Sequence, residues 1–113
     1  MGGRRAVAVA ASVVLALAGA AAWAQAGDAE LALGREVFTQ RAKPACALCH
    51  TLRDAGAEGQ VGPVLDELKP DAPRVLKILR SGFGAMPSFA EKLSEAEMAA
   101  VARYVATASG AAR

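Results

Sequence analysis

Positions 46 to 50 read Cys46-Ala47-Leu48-Cys49-His50, and residues of these types at this spacing suit one chemistry above the others. Two thiols with two residues between them can add across the two vinyl groups of a porphyrin. The imidazole that comes next can then approach the iron from the same side, and C-x-x-C-H is the attachment signature of c-type haem. The competing chemistries need more than the chain has. A structural zinc site takes four Cys or His ligands, against two cysteines and one histidine here. A thioredoxin-like redox pair needs a strand-then-helix setting in a βαβ unit, which the sequence does not show. A disulfide between Cys46 and Cys49 would close a loop too short to constrain the unfolded chain much.

His50 is the only histidine, so two histidines from this chain cannot hold one iron, and methionine becomes the leading second ligand. Met86 and Met98 are the candidates within the domain. Ser94-Glu95-Ala96-Glu97 reads as a capping box, with Leu93 and Met98 placed as its hydrophobic staple. Met98, Val101, Ala102 and Val105 continue at helical spacing, so Met98 is expected in a core. Met86 falls in Ser81-Gly82-Phe83-Gly84-Ala85-Met86-Pro87, on no periodic face, where glycines allow close backbone approach and Pro87 fixes the chain after the sulfur. A reading in which Met86 packs on the porphyrin without ligating stays open. An iron held by both His50 and Met86 is saturated, which favours electron transfer over ligand activation.

The elements that position these residues are short helices. Asp28 can cap a helix running to about Arg41, with Leu31, Gly34 and Phe38 along one side. Residues 51–70 carry Gly56, Gly59, Gly62, Pro63 and Pro70 and read as mostly loop. Asp71 can cap a helix with Pro73 in its first turn, ending at Arg80 with Val75, Leu76 and Leu79 inward, and a last helix is expected from Glu95 to about Ala106. No alternating strand pattern or internal repeat is evident. Arg74, Lys77 and Arg80 recur every three residues, either as a basic docking stripe or as a solvated face.

Ahead of this domain, Arg4 and Arg5 precede an apolar run from Ala6 to Ala22, and Ala22-Trp23-Ala24 offers a small-x-small cleavage pattern. Residues 1–24 are therefore expected to be a secretory signal peptide, cleaved to leave a single domain, 25–113, without a stable membrane span; an uncleaved helix is the alternative. The chain has 13 basic and 11 acidic residues, and removal of Arg4 and Arg5 leaves 11 of each. That balance gives no support for nucleic-acid binding. Much of the domain's apolar content is Ala, which buries little area, so a domain this small needs a staple, and the apo-chain is expected to be largely unfolded.

Taken together, Gly34 and Phe38, C-x-x-C-H at 46–50, Gly62-Pro63, Met86-Pro87 and Tyr104 resemble the class I c-type cytochromes across essentially the whole of 25–113. The resemblance implies an all-α cytochrome c fold, three to four short helices and irregular loops wrapped around one covalent haem c. In it, Cys46 and Cys49 attach the cofactor and His50 and Met86 ligate its iron. It also implies that the first and last helices cross closely at Gly34, and that the Pro63 carbonyl accepts a hydrogen bond from His50. Residues 49–56 with 61–68 look most like the small cytochrome subunit of bacterial sulfite dehydrogenases. The implied function is single-electron transport in the bacterial periplasm, from a molybdenum-containing dehydrogenase towards a downstream cytochrome or oxidase, with no catalytic residues. The alternatives are a free shuttle to a terminal oxidase, and a haem peroxidase or gas-binding protein with an open sixth site.

Overall fold

The computed structural model describes the backbone of residues 3–112 and the side chains of residues 18–112. Arg4, Arg5 and most of the apolar run of the expected leader thus have side chains outside the described residues. Five α-helices succeed one another along the chain: α1 (Gly3–Glu36), α2 (Cys46–Cys49), α3 (Leu65–Leu68), α4 (Ala72–Ser81) and α5 (Glu95–Ser109). Two of them, α2 and α3, are single turns, which accounts for the difference from the three to four helices expected.

Asp28 caps nothing, contrary to expectation. It lies inside α1, which runs unbroken from Gly3 to Glu36, because residues 18–33 are mostly the strong helix formers Ala and Leu with no proline to stop them. The helix widens at its end into a π-turn, Val37–Arg41, where the Ala42 N–H donates to the Val37 carbonyl at 3.0 Å. Val37 and Phe38, adjacent in sequence, are both buried there, which a regular helical stripe would not require.

The domain closes where α1 crosses α5. A Cβ at Gly34 would lie 2.5 Å from the Tyr104 Cβ and closer still to the Ala100 carbonyl, so only glycine admits this approach. One turn on, Phe38 meets Tyr104 edge to face, with centroids 6.1 Å apart. Arg103 pairs with Glu30 at 2.6 Å across the same junction. The start of α5 is set by the expected capping box: Ser94 Oγ accepts from the Glu97 N–H at 3.1 Å, and Glu97 Oε1 accepts from the Ser94 N–H at 3.0 Å. Met98, 1% exposed, packs below it in the core with Val101 and Val105.

Residues 51–70 hold more order than their glycines suggest. Thr51–Leu52 (β1) and Ala57–Glu58 (β2) pair antiparallel, Thr51 opposite Glu58 and Leu52 opposite Ala57. Between them is a 3₁₀ turn, Arg53–Ala55, closed by Gly56 at φ +63°. A ladder two residues long leaves no alternation to read in the sequence. It is fastened from outside: Tyr104 donates to Asp54 Oδ2 at 2.5 Å, and Asp66 Oδ2 accepts from the Arg53 N–H at 2.9 Å.

Candidate haem site

The turn α2 carries Cys46 and Cys49 on its two ends and is closed by the His50 N–H donating to the Cys46 carbonyl at 2.9 Å. Both thiols are free and half-buried. Burial pushes the Cys46 thiol up to about 11, the reverse of the lowered value that marks a redox-active C-x-x-C pair.

The loop from Gly59 to Pro63 holds His50 in place. The imidazole Nδ1 lies 2.8 Å from the Pro63 carbonyl; a carbonyl only accepts, so Nδ1 carries a proton, and the neutral ring in this tautomer offers its lone pair at Nε2. The contact implied by the family resemblance is thus present. Gly62 makes it possible: its N–H donates to the Cys49 carbonyl at 2.6 Å, and a Cβ there would lie 2.5 Å from His50 Cε1. Gly59 presses equally close on the backbone of Cys49 and His50, and its carbonyl accepts from Thr51 Oγ1 at 2.9 Å.

Met86 is carried on a tight turn. Phe83 and Met86 exchange both backbone hydrogen bonds at 3.0 Å, with Gly84 at φ +56° between them. The turn is pinned to the end of α4. Gly82 takes φ +68° as the C-cap, Ser88 Oγ donates to the Arg80 carbonyl at 2.6 Å, and the Phe89 N–H donates to the Leu79 carbonyl at 2.6 Å. The loop is therefore irregular but braced at three points.

Cys46, Cys49, His50 and Met86 all line one cavity of about 480 Å³; Met98 does not. The walls are otherwise apolar save for Arg74, with Phe38, Leu79, Val101 and Val105 among them. Val61 and Phe83, 75% and 77% exposed, stand at its rim. A cavity with two thiols, an imidazole with a free nitrogen, a thioether and apolar walls fits a flat, apolar, iron-bearing group, which would also cover those rim side chains. Among the described residues no cluster of three or more His, Cys, Asp or Glu side chains could hold a bare metal ion.

Sequence reasoning did not anticipate one lining residue. Arg74 opens onto the cavity together with Val75, Ile78 and Leu79, an i, i+1, i+4, i+5 stripe that helical periodicity could have disclosed. The three-residue basic repeat does not act as a unit, because each step drifts about 60° round the helix. All three are exposed, as a solvated face requires; Arg74 also lines the cavity, and Arg80 pairs with Glu95 at 2.8 Å.

Comparison with known proteins agrees with this geometry. The family described as cytochrome c oxidase, cbb3-type, subunit III matches residues 29–105. Chloroplastic cytochrome c6 of Chlamydomonas reinhardtii is 37% identical over 110 residues, 88% of this chain; the chain spans 66% of that relative's length. The crystal structure of the c-type cytochrome SorU from Sinorhizobium meliloti is similar with a TM-score of 0.71 at 57% identity, covering 74% of this chain and 94% of that one. With residues 29–105 matched and a single C-x-x-C-H in the sequence, the chain belongs to the cytochrome c oxidase, cbb3-type, subunit III family and is a monohaem class I c-type cytochrome with covalently bound haem c.

Proposed function

We propose that the chain is an exported carrier of single electrons in the bacterial periplasm, with Cys46 and Cys49 as the attachment thiols and His50 and Met86 as the iron ligands. The observation that carries this is the single cavity shared by the His50 imidazole, its Nδ1 committed to Pro63 and its Nε2 free, and the Met86 thioether. Haem c, when bound, supplies a one-electron couple between ferric and ferrous iron. The Pro63 carbonyl orients the imidazole and raises its basicity. Met86 would supply the second protein ligand to the iron and would favour the ferrous form. The apolar walls exclude water, and the rim at Val61 and Phe83 gives a partner's redox centre close approach. No side chain has to move a proton.

The leader reading is part of this proposal. Residues 18–26 are all exposed, so among the described residues cleavage after Ala24 removes no buried side chain. Among the described residues no helix is long and apolar enough to cross a membrane. Mass spectrometry of periplasmic protein should give an N-terminus at Gln25.

The specific donor proposed is a periplasmic, molybdenum-containing sulfite dehydrogenase, on the likeness of residues 49–56 and 61–68 to the cytochrome subunit of such enzymes. A second reading, a shuttle towards a terminal oxidase, is favoured by the family match over residues 29–105. Stopped-flow mixing separates the two. Rapid reduction of the ferric protein by sulfite with its dehydrogenase supports the first. Failure there, with rapid oxidation of the ferrous protein by oxidase-containing membranes, supports the second. Rapid, tight binding of carbon monoxide to the ferrous protein at neutral pH would overturn Met86 as the iron ligand.

A further inference from the structure

Cleavage after Ala24 leaves Gln25 as the first residue, and a glutamine in that place has a reaction open to it that an internal one lacks. Its free α-amine and its own side-chain carboxamide are spaced to close a five-membered ring. Gln40 and Gln60 have their backbone nitrogens tied in peptide bonds. The surroundings of Gln25 leave the ring room. It is exposed, and it is not among the residues gathered round Arg103, which include Ala22, Trp23, Ala26, Gly27 and Glu30. The backbone is equally permissive. The first N–H groups of a helix have no partner within it, so occupying the nitrogen of residue 25 breaks no helical hydrogen bond, and a ring of proline's shape suits a helix start. An open terminus would instead be an ammonium, since α-amines titrate at about 7.7–8.0, at the end of a helix that disfavours positive charge. Arg103 already brings a guanidinium there, paired with Glu30 at 2.6 Å. Asp28 is the only acid in the first four residues of the cleaved chain. Ring closure removes the ammonium and leaves Asp28 at a helix start that favours it.

We infer that Gln25 is a modification site, cyclised after cleavage so that the mature chain begins with pyroglutamate. The inference rests on the leader reading above. The neutral α-nitrogen attacks the side-chain Cδ and forms an N–Cδ bond. The bond from Cδ to the amide nitrogen breaks, and the proton shed by the amine leaves with that nitrogen. The products are a lactam and ammonia. Nothing is oxidised or reduced, and no co-reactant is consumed. Two consequences can be measured: the chain loses the mass of ammonia, and it loses the positive charge of its terminus.

The experiment is intact mass measurement and peptide mapping of haem-bearing protein purified from the periplasm, for wild type and Gln25→Ala. Wild type is expected about 17 Da below the mass of residues 25–113 with covalent haem, whereas Gln25→Ala should keep its full mass. The chain has no asparagine, so ammonia cannot be lost through a succinimide at that residue type, and the peptide beginning at residue 25 should carry the whole difference. Wild type should also resist stepwise degradation from its N-terminus until pyroglutamyl aminopeptidase has removed one residue. On ion exchange at about pH 6 it should behave as one positive charge poorer than Gln25→Ala, and the gap should close above about pH 9 as the alanine amine discharges. Wild type alone decides if the variant fails to accumulate. Full mass and an open amine at Gln25, both fresh and after a day at about 37 °C, overturn the inference while the leader reading stands. A chain beginning at any other residue overturns both, and shows as a mass that no loss of ammonia from residues 25–113 explains.

Discussion

Met86 and Met98 have the same side chain and opposite surroundings. Met98 is 1% exposed beneath a capped helix end, whereas Met86 is half-buried on a braced turn at the cavity. Met98→Ala should cost about 2–5 kcal/mol in urea unfolding and leave the absorbance spectrum unchanged, because it removes packed volume and no ligand. Met86→Ala should cost less stability, open the iron to carbon monoxide and lower the midpoint potential, because a thioether raises it. Gly62 is the second residue whose role is chemical as well as structural. Gly62→Ala places a methyl 2.5 Å from the His50 ring, so the imidazole must turn away from Pro63. The expected result is a reduced yield of haem-bearing protein and an altered iron-ligand signature by NMR. A normal yield with a wild-type spectrum would refute it.

The elements are held in register by a few contacts remote in sequence. Of these, the Tyr104 hydroxyl on Asp54, 2.5 Å long, ties α5 to the hairpin just beyond the attachment turn. Burial, with added effect from Asp54, raises the Tyr104 pKa above its ordinary value of 10.0. A tyrosine raised on folding stabilises the native state fully below pH 10.0, and that contribution is lost as pH rises through and beyond it. Tyr104→Phe should therefore lose about 1.5 kcal/mol at pH 7, the lower end for a bond to a charged group because Asp54 is exposed. The deficit relative to wild type should shrink above pH 10. Urea melts at pH 7 and pH 10.5 check this, and an equal deficit at both would count against it. The hairpin itself could not be foreseen, since two residues per strand carry no periodicity and their pairing depends on Tyr104 and Asp66.

At the scale of the whole molecule, part of the core is also the wall of the cavity, with Phe38, Leu65, Leu79, Phe89, Val101 and Val105 belonging to both. An Ala-rich chain of this size has little other apolar area to bury. Folding should then be coupled to cofactor attachment, as with any group bound only by the native state. The haem-free Cys46→Ala, Cys49→Ala double variant should show no cooperative thermal transition by circular dichroism. A sharp melt near that of the holoprotein would contradict this.

Contiguous residues carried most of the chemistry. C-x-x-C-H needs no fold to be recognised, a single histidine leaves methionine as the leading second ligand, and capping boxes and Asp-x-Pro starts place α4 and α5 because their hydrogen bonds are local. Tertiary structure decided what depends on residues far apart meeting. It set the unbroken passage of α1 through Asp28, the π-turn that buries Val37 beside Phe38, the His50 to Pro63 bond in place, and Arg74 at the cavity while its neighbours in the repeat point elsewhere. Periodicity reports which face of a helix is apolar, but only packing settles what that face encloses, because a side chain's surroundings come from other parts of the chain.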